Sequence, residues 1–97
     1  MTRYVLKPRA QRDLDEIWDY TAARWNIDQA EIYIRAIQRS LEMLADDPRL
    51  GRTCDDIRAG YRKHRVESHF IFYRVIETDI VDVIRILHQS MDFERHL

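Results

Sequence analysis

The stretch Tyr61–His88, YRKHRVESHFIFYRVIETDIVDVIRILH, decides the fold. It divides into three runs, YRKHRVE, FIFYRVIE and IVDVIRILH. Each is rich in β-branched and aromatic residues, which suit a pleated, half-buried backbone. Only SH and TD fall between them. Joins that short cannot carry a crossover, so the runs are predicted to form an antiparallel meander. In the middle run Ile71, Tyr73 and Val75 face one way, and Phe70, Phe72, Arg74 and Ile76 the other. Both faces are largely apolar, which predicts a central strand. In the last run alternation sets Ile84, Ile86 and His88 against Val81, Val83, Arg85 and Leu87.

Upstream of the meander the period changes. YVLK, Tyr4 to Lys7, reads as a short strand; Pro8 ends it and suits the first turn of a helix. Ala10, Leu14, Ile17, Trp18, Thr21 and Trp25 then recur at helical spacing, with Asp13, Asp15, Glu16 and Asp19 largely between them. WNIDQAE breaks this helix, and Asp28 with Glu31 three residues later predicts a capping box. Ala30, Tyr33, Ile34, Ile37, Leu41 and Leu44 mark the stripe of a second helix, which stops before Pro48. The short link predicts an antiparallel helical hairpin. DDPRLGRTCDDIRAG reads as a loop. A helical pair must bury its stripe against a sheet, so the expectation is one two-layer α+β domain over residues 1–97, β-α-α-β-β-β, with a short C-terminal turn or helix.

Composition narrows the function. With 97 residues, 45% hydrophobic and 34% charged, the chain suits one core and a wet surface. No apolar run approaches the roughly 20 residues of a membrane span, and the start lacks a signal-peptide stretch. A cytoplasmic protein without membrane contact is expected. The single cysteine, Cys54, lies beside Asp55 and Asp56, whose charge raises a thiol pKa and argues against a nucleophile. The balance of 16 basic and 17 acidic residues does not suggest a dedicated, sequence-specific nucleic-acid binder. RAGYRKHR gathers Arg58, Arg62, Lys63, His64 and Arg65, but strand alternation divides them between two faces. His64, His69, His88 and His96 show no metal-ligand spacing, so no metal and no cofactor are expected.

The tail RILHQSMDFERHL leaves a titratable ring at a strand end and three large apolar groups beyond it. Met91, Phe93 and Leu97 recur at near-helical spacing and predict a short turn docked on the domain. The same region, His88, Met91 and Phe93, is a candidate surface for binding a target, since Met and aromatic side chains anchor interfaces. Four large rings, Trp18, Tyr20, Trp25 and Tyr33, exceed what so small a domain readily buries. Trp18, Trp25 and Tyr33 are therefore candidates for a groove that takes a partner's amphipathic helix.

Several residues together carry a family likeness. They are Ala10, Asp13-Leu14, Ile17 and Tyr20; Ala30, Tyr33-Ile34, Leu41 and Leu44; Pro48 and Gly51-Arg52; Arg58, Tyr61-Arg62, Tyr73-Arg74; and the closing Ile84-Arg85-Ile86-Leu87-His88. In this order they resemble the ParE/RelE superfamily of bacterial toxins from toxin–antitoxin pairs, and more closely its ParE branch. The likeness spans nearly all of the chain, although no single motif in it is specific. It implies a choice. ParE-like members poison DNA gyrase and are held in check by a ParD-like antitoxin; they need no catalytic residues. RelE-like members cut messenger RNA at the ribosome. A nuclease here would rest on Arg65 and Arg74 as phosphate cations and on His88 as acid or base. After His88 the chain has no Lys and no Tyr, unlike the best-known RelE-like nucleases, and the balanced charge also disfavours ribosome binding. The ParE-like reading is therefore preferred.

Overall fold

The computed structural model describes residues 3–77 and 79–97. Strand β1 (Tyr4–Leu6) leads into helices α1 (Pro8–Arg24) and α2 (Ile27–Asp46). A two-residue strand β2 (Arg52–Thr53) precedes the meander β3 (Tyr61–Val66), β4 (His69–Ile76) and β5 (Ile80–His88). One helical turn, α3 (Phe93–His96), closes the chain. The sheet order is β1-β5-β4-β3-β2, so β4 is central, as its two apolar faces require. The α+β architecture, the helical hairpin and the antiparallel meander agree with the expectation. Met1 and Thr2 of the expected domain, and Thr78 of the TD join, lie outside the described residues.

Four details differ from the sequence reading. First, β1 pairs with β5 in parallel, Tyr4 opposite Val81 and Leu6 opposite Val83. Parallel neighbours need a long crossover, and the α1–α2 pair supplies it. Second, the loop after α2 contains β2, which pairs Arg52 with Lys63 and Thr53 with Arg62. Third, α2 starts at Ile27, and its N-cap is Asn26, whose Oδ1 accepts the Gln29 N–H at 2.7 Å. Asn caps as well as Asp, so Asp28 falls inside the first turn, where its charge favours the helix dipole. Glu31 pairs with Arg35 one turn on, at 2.7 Å. Fourth, β5 does not alternate throughout. Phe72 faces Arg85, but Tyr73 faces Val83, so Ile84 is an extra residue at a bulge. Val81, Val83 and Ile86 therefore share the helix-facing core, while Leu87 looks the other way.

The main core lies between helices and sheet. Ala10, Leu14, Ile17, Ile37, Leu41 and Leu44 pack on Val66, Ile71, Tyr73, Val81, Val83 and Ile86. A second, smaller cluster sits on the far face: Cys54, Phe72 and Leu87, roofed by Ile57, Tyr61, Phe70, Phe93 and Leu97. The Cys54 thiol pKa is raised, chiefly by this burial; Asp56 and Asp55 act in the same direction, and Lys63 opposes them.

Two polar networks hold these layers in register. Asp13 on α1 accepts Arg85 Nε at 2.8 Å and Nη2 at 3.0 Å, a bidentate buried pair. Its Oδ2 also accepts the Ile86 N–H at 2.9 Å, just past the bulge. At the other end, the buried Tyr73 hydroxyl donates to the Pro48 carbonyl at 2.7 Å and accepts the Gly51 N–H at 2.9 Å. A Cβ at Gly51 would collide with that hydroxyl, and would stand 2.8 Å from a Tyr73 ring carbon and 2.9 Å from the Lys63 carbonyl. Glycine is needed there for space.

Candidate functional site

At one end of the molecule the α1–α2 link, the β3–β4 turn and the end of β5 come together around a groove. One compartment, of about 580 Å3, is lined by Tyr20, Thr21, Trp25, Gln29, Ile32, Tyr33, Ala36 and the segment Glu67–His69, with His88. A second, of about 410 Å3, shares Tyr20, Thr21, His69 and His88 and runs past Asp13, Glu16 and Ile86 to Ser90 and Met91. The walls follow from local structure. Gln29, Ile32, Tyr33 and Ala36 recur every three or four residues and so share one face of α2. Trp25 follows the last helical residue of α1 as its C-cap, with a non-helical backbone, and lines the groove.

The rim is unusually apolar for a free surface. Tyr20 is 68% exposed, Trp25 67%, Ile32 58% and Met91 43%. Large rings left in water beside a concave floor mark a place where a partner buries them.

The floor is a row of three rings, Tyr33, His69 and His88. The Tyr33 hydroxyl accepts the Ser68 N–H at 3.1 Å and lies 2.6 Å from His69 Nδ1. The same hydroxyl donates to the Val66 carbonyl at 3.5 Å, so Tyr33 ties the β3–β4 turn to the His69 ring. Burial raises the Tyr33 pKa. Burial also pulls His69 down to about 4, assisted by the neighbouring His88 and opposed by Asp13. His69 is thus neutral at physiological pH. His88 stands edge-on to it, with centroids 5.2 Å apart. His88 Nδ1 accepts the Ser90 N–H at 3.1 Å and lies 2.7 Å from Ser90 Oγ, so this ring helps to cap the turn into the tail. Among the described residues no three His, Cys, Asp or Glu side chains converge as a metal site. Among them, too, no helix is long and apolar enough to cross a membrane.

The sequence candidates separate. Trp25 and Tyr33 meet in the groove, but Trp18 lies in another cleft, beside Tyr4, Leu6, Ile34 and Leu41. His88 and Met91 line the groove, whereas Phe93 turns to the far face and packs edge-on against Phe72 and Phe70, at 4.8 and 5.5 Å. Arg65 comes near the end of β5 through a 2.9 Å bond to Gln89 Oε1. Arg74 does not: it sits five residues along β4 from His69, about 16 Å away, and its Nε is bonded to the buried Asp82 at 2.9 Å. Arg65, Arg74 and His88 are therefore not gathered around one phosphate. His69 and Ile32 were missed as groove residues. The tight β3–β4 join held a signal for His69, because counting pairs from it sets Val66 opposite His69 and leads on to His88.

Residues 4–93 match the family described as the ParE toxin of the type II toxin–antitoxin system parDE. The chain belongs to the ParE toxin family. It is 52% identical over 96 residues to the toxin ParE1 of Mycobacterium tuberculosis, covering 99% of this chain and 98% of that one. Against the toxin ParE1 of Caulobacter vibrioides it is 45% identical over 97 residues, covering 100% and 99%. A chain of the chromosomal ParDE system from P. aeruginosa shares the fold, with a TM-score of 0.77 and 19% identity over 91% of this chain and 96% of that chain. The family likeness seen in the sequence now has physical content in this ParE chain. Asp13 and Arg85 pin α1 to the β5 bulge, and Pro48, Gly51 and Tyr73 lock the loop after α2 to the sheet.

Proposed function

We propose that this toxin acts in the cytoplasm by inhibiting DNA gyrase, without covalent chemistry of its own, and that a cognate ParD-like antitoxin neutralises it. The observation that carries the reading is the match to ParE toxins over the whole chain, at 45–52% identity to two curated ParE1 proteins. The dispersal of Arg65, Arg74 and His88 supports the same reading, because general acid–base work needs its groups within hydrogen-bond reach of one site.

The antitoxin is expected to lay an amphipathic helix in the groove, covering Trp25, Tyr33 and Ile32. A segment that folds as it binds needs such apolar anchors to offset its ordering cost. His88 and Met91, at the tail end of the groove, remain the candidates for the target surface.

The test has two parts. Purified toxin is added to gyrase in a DNA supercoiling assay, and DNA and protein synthesis are pulse-labelled in cells that express the toxin alone. Inhibited supercoiling and an early stop in DNA synthesis support the proposal. Gyrase indifferent to excess toxin, with protein synthesis failing first, overturns it. For the groove, Trp25→Ala is expected to weaken antitoxin binding by roughly 10- to 100-fold, the effect of losing one interface anchor.

A further inference from the structure

On the far face of the sheet, at the β2–β3 edge, three cations gather. Arg52 and Lys63 are register partners, and such partners present their side chains on one face. Arg65, two residues along β3, shares that face about 7 Å away. With Phe70 and the rim residue Leu50 they line a shallow cleft of about 430 Å3. Lys63 Nζ stands 5.6 Å and the Arg65 guanidinium 5.9 Å from the Phe70 ring centroid. Those cation–π contacts hold the charged heads against the sheet.

The three charges are not neutralised from within. Among the described residues, none of the three makes an ion pair; what sets them apart is that they share one cleft. Arg65 donates to neutral oxygens, the Glu67 carbonyl and Gln89 Oε1. Asp55, on the turn beyond β2, is engaged by the Gly60 N–H. In a chain of net charge −1, three like charges on one edge make a local positive potential that attracts anions.

We propose that this cleft docks the phosphate backbone of duplex DNA without reading its sequence. Arg and Lys are the usual phosphate partners, and affinity gained this way is independent of sequence. Single-stranded binding relies on free aromatic faces. Here the Phe70 ring is occupied by Lys63 and Arg65, and it packs against Phe72 and Phe93. A protein partner would look for an apolar centre, yet among large apolar side chains in the cleft only Leu50, at the rim, is well exposed. The inference does not depend on gyrase being the target.

The test is fluorescence anisotropy of a labelled random-sequence duplex with the purified full-length chain, in the absence of gyrase, over a salt series. Three phosphate contacts predict a slope of log affinity against log salt of about −2.7. Arg52→Gln, Lys63→Gln and Arg65→Gln should each make that slope shallower by about one, while Lys63→Arg keeps it. A change of duplex sequence should leave the affinity unmoved. The proposal is overturned by no binding at low salt, or by a slope that the triple Gln variant leaves unchanged. It also fails if poly-glutamate or a single strand of equal length binds more tightly than the duplex. The variants' thermal melts check that the fold is intact, and the charge-conserving Lys63→Arg separates charge from packing.

Discussion

Ile71 and Phe72 are neighbours on β4 and both are fully buried, yet they look into different cores. Ile71 belongs to the face packed by two helices, in the larger, mostly aliphatic cluster. Phe72 belongs to the far face, where a loop and a one-turn tail cover a few aromatic rings. Regular secondary structure buries the first face. The second is closed by short irregular segments tied down one bond at a time: Arg85 Nη1 donates to the His96 carbonyl at 3.2 Å, and Arg58 donates to the Leu97 carbonyl. The lesson is that a five-stranded sheet in so small a chain can bury both faces unequally, leaving its thinner side free to carry charge.

The sharpest way to break the comparison is to remove the pin between the layers. Asp13→Ala strands the Arg85 guanidinium and the Ile86 N–H in a buried site, and should cost about 3–5 kcal/mol in urea unfolding. A loss near zero would mean that the tail lets water reach Arg85. Next, Leu41→Ala on the helix face should cost roughly 2–5 kcal/mol, because the side chain is almost wholly buried and leaves a cavity. Phe93→Ala on the far face should cost only about 1–2 kcal/mol, since the ring is half-buried and the tail can readjust. Equal losses from these two variants would erase the claimed difference between the faces.

Acid should act where the two histidines meet. His69 resists protonation down to about 4, whereas in the unfolded chain it titrates near 6.5. The unfolded state therefore binds more protons between those values, and stability falls as pH drops through that window. The loss should be on the order of 1–2 kcal/mol, with allowance for partial exposure. His69→Gln should flatten that slope. His64, also pushed down by burial, adds a contribution of the same sign. The smallest effect is at the β3–β4 turn, where Glu67 has φ 54°. Asn tolerates that left-handed region better, so Glu67→Asn should raise stability by about 0.5 kcal/mol in a thermal melt.

Much of the fold was legible because it rests on local rules. Two-residue joins forced the meander, and apolar residues on both sides of Phe70–Ile76 placed β4 at the centre. Ala10 through Leu44 showed helical spacing on either side of one break. The site was legible only in part. Trp25 and Tyr33 announced themselves as rings too large to bury, but nothing in the spacing separated them from Trp18, which lies about two turns earlier on α1 in a cleft beside β1. Phe93 and Met91 stand two residues apart in the tail, yet they serve opposite faces of the sheet.

By itself the sequence determined the element types, their order and the pairing of the meander, since periodicity, turn length and capping act over a few residues. Tertiary structure decided the parallel seat of β1, the strand at Arg52–Thr53 and the bulge at Ile84. It also decided the meeting of Tyr33, His69 and His88, and the gathering of Arg52, Lys63 and Arg65 on one edge. These depend on registers between strands and on contacts between segments, which no local pattern fixes. A one-residue bulge is enough to turn every later side chain of β5 to the opposite face.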